Sequence, residues 1–438
     1  MEPAGYFLRV GLLLGAILLA SAPASAQQQP DPAPEPAPEG QEDEPGTLRL
    51  PFAFYNESFG VAAGYVEGRT SFPQPQADLL GSAMVGSKGS GLVFLIARNL
   101  RLDSLDRLFL DPTLSVGYFN ENDAFIDGNP NFPDERAGAN SSSEDNFLEG
   151  KGWDNFARLR MKYLLPIGHG EEQILANYKI EDGLLASGAS GGESLNPFES
   201  GRTFAELRPF YRSQQIDSDD LDTDLKTNGA DVSLFWDNRD FPDNPSRGNG
   251  VRTRLSRDFG LFDSSDSWTT MEGEVDAYVS LGETDWFRQR VLAFDFWTSF
   301  SPTWEIQDNG EIDNRPPAYT GATLGGLWRM RGFPAQRFND KAAIYYAAEL
   351  RMIPEWNPFD NYPGLQRYIG VEWLQFVPFV EVGRVAPDYD LANLHSSMKW
   401  NGGFGVRAWA QGFVVRADTA YSEEGFGVQM MIAQPFQF

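Results

Sequence analysis

The apolar residues of this chain recur at every second position over short stretches. In "NFARLRMKYLL" Arg158, Arg160 and Lys162 fall on one face, and Ala157, Leu159, Met161 and Tyr163 fall on the other, because side chains of an extended strand alternate. "TFAELRPFYRS" sets Glu206, Arg208 and Arg212 against Ala205, Leu207 and Tyr211, and "TMEGEVDAYVSLG" sets Glu272, Glu274 and Asp276 against Val275, Ala277 and Val279. A soluble sandwich alternates too, with its apolar face turned inward. The closing "GFGVQMMIAQPFQF" favours another solution: Phe426, Val428, Met430, Ile432, Phe436 and Phe438 share one face, interrupted by Gln434. Exposed to water, such a stripe invites aggregation. A strand facing lipid requires it.

The pattern predicts an all-β fold, an antiparallel transmembrane β-barrel of about sixteen strands, closed because lipid tolerates no unpaired strand edge. The strands are expected to begin near Phe59, Asp78, Leu92, Leu108, Asn155, Gln173, Thr203, Ala230, Val251, Thr270, Gln289, Ala342, Phe376, Gly402, Phe413 and Gly427. An even count returns both termini to the periplasm. It also puts the polar stretch Asn120 to Gly152 on the periplasmic side, where turns are usually short.

The N-terminus fits export to the bacterial outer membrane. An apolar run from Val10 to Ala20 precedes "SAPASA", which predicts a signal peptide over residues 1–26, cleaved after Ala26. The run is shorter than the roughly 20 residues of a membrane helix. Residues 27–46 are rich in Pro and Glu and read as a periplasmic linker, leaving 47–438 for the barrel.

Composition narrows the function. Sixty-two acidic residues against 35 basic ones give a net charge of -27, which argues against a nucleic-acid partner held by bulk electrostatics. Cysteine is absent and only two histidines occur, which removes disulfides, thiol nucleophiles and Cys/His zinc sites. His169, in "PIGHGEE", and His395, in "NLHSSMKW", read as loop residues, and no glycine loop suits a phosphate. No catalysis, cofactor or metal is predicted. The acidic "DSDDLDTD" lacks the ordered spacing of a calcium loop. It reads as a solvated outward loop that divalent cations would bridge to lipopolysaccharide, so the expected surroundings are outer-membrane lipid and lipopolysaccharide.

Several motifs are similar to those of the bacterial surface antigen family, the BamA/TamA superfamily of outer-membrane assembly and translocation barrels. "WDNRDFPDNPSRGNGVRTRLS" resembles its periplasmic D-x-R-D turn, with Asp237, Arg239, Asp240, Pro245 and Gly248 in the matching positions. "LGGLWRMRGFPAQRFND" resembles its long inward-folding loop, with Gly325, Gly326, Met330, Arg331, Gly332 and Phe333 as the signature, Met standing where Val or Leu is usual. "KAAIYYAAELRMIP" carries the E-x-R of the strand leaving that loop, Glu349 and Arg351. "FVEVGRV" looks like the F-x-D-x-G strand, with Phe379, Glu381 and Gly383 and Glu in place of Asp. A terminal aromatic, Phe436 with Phe438, resembles the family's closing strand.

The resemblance implies a lumenal pairing of Arg331 with Glu381 that pins the loop across the pore, and it assigns no role to Arg329 and Arg337. It also implies service in outer-membrane biogenesis, by insertion or translocation of a client at the seam between first and last strands. Family machines carry POTRA modules before the barrel, and the stretch from Ala26 to Pro51 is too short for one. Two alternatives therefore stand: a gated or passive channel, and a structural barrel anchoring a periplasmic partner.

Overall fold

The structure is a computed structural model describing residues 46–56, 58–307, 312–432 and 436. The signal peptide, the linker up to residue 45 and Phe438 lie outside the described residues. The wall consists of β1 (Thr47–Asn56), β2 (Gly60–Arg69), β3 (Asp78–Gly86), β4 (Gly91–Arg98), β5 (Leu105–Ala124), β6 (Leu148–Gly168), β7 (Arg202–Asp217) and β8 (Asp222–Arg239). It continues with β9 (Gly248–Phe259), β10 (Ser267–Ser280), β11 (Phe287–Phe300), β12 (Ala342–Pro354), β13 (Val371–Ala386), β14 (Lys399–Ala410), β15 (Phe413–Ser422) and β16 (Gly425–Ile432). Each strand pairs antiparallel with its neighbour in sequence, and Leu100–Leu102 adds a short ladder beside β5. Both ends of the wall, at Thr47 and Ile432, therefore lie on one rim, here the terminal rim. The opposite edge is the loop rim.

Side-chain burial is inverted relative to a water-soluble sheet. In β8 the polar Asp231 and Ser233 are 2% and 8% exposed, whereas Val232 and Leu234 are 57% and 52% exposed. Val61, Val85, Leu95, Leu114, Leu207, Leu255 and Phe404 continue the exposed apolar face around the wall. A surface so apolar suits hydrocarbon, while the polar side chains find partners inside. No helix among the described residues is long and apolar enough to cross a membrane.

Two expectations change. A strand precedes Phe59: β1 begins at Thr47, and its alternation runs through Leu48, Leu50, Phe52 and Phe54. No wall strand begins near Gln173; Ile174, Ala176, Tyr178 and Ile180 do alternate, but they belong to a connection that packs inside the terminal rim. The two differences cancel in number and shift sidedness between them. The polar segment 125–147 accordingly lies on the loop rim, not the side to which Asn120 to Gly152 was assigned from the alternation.

Candidate functional site

The connection from β11 to β12, residues 301–341, folds back into the barrel. Its stem is a ladder of Ala322–Leu324 with Phe338–Asp340. Beyond it Gly325 and Gly326 adopt φ of +108° and +100°, a region that glycine enters without steric cost. A Cβ on Gly325 would sit 2.2 Å from the Pro334 carbonyl oxygen. The Gly326 amide donates to the Phe333 carbonyl at 3.2 Å and the Phe333 amide to the Met330 carbonyl at 3.0 Å, which closes the tip. Leu324, Met330, Phe333 and Phe338 then pack with Trp297, Tyr345 and Val385 of the wall. The loop thus has an apolar core of its own inside the lumen.

That core presents Arg331 to three strands. Its Nε donates to Glu381 Oε1 at 3.0 Å and its backbone amide to Glu381 Oε2 at 2.6 Å. Nη1 donates to Asp418 at 2.8 Å, and Nη2 to Glu349 at 2.9 Å. The guanidinium also lies 3.6 Å from the Phe379 ring centroid. Arg407 and Arg351 share Glu349 at 2.8 and 2.9 Å, Arg416 shares Asp418 at 2.8 Å, and Tyr345 donates its hydroxyl to Glu381 at 2.6 Å. All seven charged side chains are at most 1% exposed. Charges so buried are tolerable only as partners of one another. Arg331 therefore ties the loop tip to β12, β13 and β15 together. Gly332 makes this approach possible, since a Cβ there would lie 2.7 Å from that of Asn401.

The motif's other two arginines are also engaged. Arg329 pairs with Glu274 at 2.7 Å and stacks over Trp297 at 4.2 Å. Arg337 pairs with Glu424 at 2.7 Å and donates to the Ser142 hydroxyl and carbonyl at 2.9 and 2.7 Å. Ser142 lies in the 125–147 connection, which also lays Arg136 onto Asp340 and the Asn339 carbonyl. Asp418, Arg407 and Arg416 were not singled out in the sequence, although each is a charged residue at an inward position of its strand.

The D-x-R-D residues form a separate element on the terminal rim. Arg239 holds Asp237 with two bonds, at 2.7 and 2.8 Å. Asp240 accepts from the amides of Phe241 and Ser246 at 2.8 and 2.9 Å. Burial pushes its carboxyl above the usual range, and the bonds from Ser246, Phe241 and Arg247 draw it partly back. Pro245 lies in the same turn, and Gly248, at φ +96°, opens β9. Phe436 differs from expectation: it is 4% exposed, inside the lumen, with its ring 5.4 Å from the Arg351 guanidinium. Alternation ends with β16 at Ile432, so it no longer dictates which way Phe436 points. Phe426, Val428 and Met430 do face outward. His169 lies on the terminal rim, 3.7 Å from Glu193, and His395 accepts or donates at 2.8 Å with Tyr346 on the loop rim.

A sixteen-stranded wall, apolar outside, with an arginine loop anchored in its lumen, defines an outer-membrane β-barrel with an inward-folded loop. No family model and no curated protein matches the chain. Among solved structures it is similar to CdiB from Escherichia coli (TM-score 0.53, 10% identity, 89% of this chain and 61% of that one). It is similar also to CdiB from Acinetobacter baumannii (TM-score 0.50, 11% identity, 89% and 59%). BamA from Haemophilus ducreyi lacking POTRA domains 1–3 aligns with TM-score 0.44 and 10% identity over 89% of this chain and 68% of that one. The fold is that of the CdiB barrels, and the chain spans about three fifths of the length of those proteins.

Proposed function

We propose that this is an outer-membrane barrel that inserts or translocates client proteins at the seam between β1 and β16, with the terminal rim in the periplasm. The seam is the observation that carries the reading. Among the described residues no ladder joins the two strands, although each is fully paired on its other side. Leu48 and Leu50 of β1 and Ile432 of β16 belong to one apolar cluster at the terminal rim, together with Val371, Ala410, Phe413 and Val415. Pro51, which has no N–H to offer, sits within β1, a position proline occupies in edge strands. Two facing edges of this kind offer backbone donors and acceptors to an incoming strand. The motif resemblance to assembly and translocation barrels points the same way.

Reconstituted into liposomes, the protein should accelerate folding of a urea-unfolded outer-membrane barrel. A photo-reactive side chain at Val428, on β16, should capture that client, and one at Leu207, on β7, should not. Steady ion conductance with no acceleration and no capture would instead favour a channel.

A further inference from the structure

The connection between β6 and β7 spans 169–201, whereas the β14–β15 turn on the same rim needs only 411–412. It starts against its own side of the wall, where Ile174 and Leu175 pack on Phe109, Leu164, Phe204 and Phe235. It then crosses the mouth. A small hairpin, Lys179–Glu181 with Leu184–Ser187, presses Tyr178, Ile180, Leu184 and Leu185 onto Phe241, Ile353, Trp373, Trp409 and Val414. The buried Trp373 donates its indole N–H to the Gly183 carbonyl at 2.8 Å, and Tyr178 meets Phe241 edge-on at 5.0 Å. The returning limb is fastened to the D-x-R-D turn, Ser190 donating from its amide to the Asp240 carbonyl and from its hydroxyl to the Arg239 carbonyl, both at 2.9 Å.

Behind the hairpin lies a cavity of about 1380 Å³, bounded by Tyr178, Ile180 and Glu181 at this end and by Trp328 and Arg329 of the inward loop. Its wall carries Arg158, Arg160, Lys162, Arg208, Arg252 and Arg254. The carboxylates beside them are engaged: Asp111 holds Lys162 at 2.7 Å, Glu206 holds Arg252 at 3.1 Å, Glu272 holds Arg254 at 3.3 Å, and Asp231 pairs with Arg208. Arg158 has no carboxylate partner among the described residues and rests on the Phe156 ring at 4.7 Å. The whole lining carries eleven basic and nine acidic side chains, but the six basic ones named gather on β6, β7 and β9, so that side of the lumen is locally basic in a chain of net charge -27, and enclosed charge of one sign concentrates ions of the other. The hairpin is held to the wall by these apolar contacts and the Trp373 hydrogen bond and belongs to no wall ladder, so it can open locally without unfolding the barrel.

We propose that the 179–187 hairpin is a plug that shuts the terminal mouth of a lumen selecting anions. The chain has no cysteine, so Thr113→Cys places a single thiol on the chamber wall. Gly183 has φ +73°, and a Cβ there would lie 2.6 Å from the Trp373 indole, so Gly183→Val displaces the hairpin tip and leaves the wall strands unchanged. In the folded full chain the thiol should react slowly with a sulfonate-bearing methanethiosulfonate. Gly183→Val, or replacement of 179–187 by a short Gly-Ser bridge, should accelerate it at least about tenfold, and the sulfonate should outpace a trimethylammonium reagent about tenfold once each rate is divided by that with a free thiol in solution. Arg158→Ala should reduce that preference. Unchanged rates in both hairpin variants, with the barrel shown folded by its heat-modifiable gel mobility, overturn the plug. Equal rates for the two reagents, each taken relative to its rate with a free thiol in solution, overturn the anion selection.

Discussion

Arg331 shows how one side chain can set the position of a whole loop. Its five donors lie in a planar fork, and the structure uses that geometry to reach carboxylates on three strands, which a lysine's point charge cannot reproduce. Removing it leaves the buried Glu381 without a cation and takes one of the cationic partners from Glu349 and Asp418. Arg331→Ala is expected to cost roughly 3–5 kcal/mol, read as a lower unfolding midpoint of the barrel and as new protease cleavage between residues 322 and 340. Arg331→Lys should recover only part of the loss; full recovery would show that a positive charge suffices. Of this cluster, the motif resemblance made Arg331, Glu381, Glu349 and Arg351 legible in the sequence. Asp418, Arg407, Arg416 and Tyr345 were not, because an inward charge in a barrel strand looks the same whether it meets water or another buried charge.

At the scale of elements, period two proved reliable about faces and silent about what each face meets. Ile174, Ala176, Tyr178 and Ile180 alternate as well as any wall strand, yet they serve a plug. Leu48, Leu50, Phe52 and Phe54 of β1 alternate too, before the first strand expected near Phe59, and Pro51 among them is a residue that weakens a strand pattern. The inward loop was legible for a different reason, its resemblance to the family's loop motif, whose paired glycines here take a backbone that few other residues adopt. Gly325→Ala would force a Cβ into the Pro334 carbonyl at φ +108°, a strain of about 1–3 kcal/mol. Limited proteolysis of the folded variant should show a loosened loop tip while the wall strands stay protected. An equally protected tip would mean that the loop's apolar core, not its glycines, sets its shape.

The whole barrel is uneven around its circumference. β5 and β6 run 20 and 21 residues, whereas β16 runs eight and ends beside an unzipped seam. The interior is uneven too, with the loop core filling the side lined by β10 to β13 and the basic cluster of the chamber lying on β6, β7 and β9. Amides locked in a long ladder exchange only when much of the sheet opens, and those near a free edge exchange by fraying. Hydrogen exchange in detergent or lipid should therefore run slowest in β6, β7 and β8 and fastest in β1 and β16, with a smooth gradient between them. A flat profile would mean that the seam is sealed in solution. If the gradient holds, the molecule behaves mechanically like a split ring: clamped along one meridian, it widens or narrows by hinging there, and any work done on the barrel appears as displacement at the slit opposite.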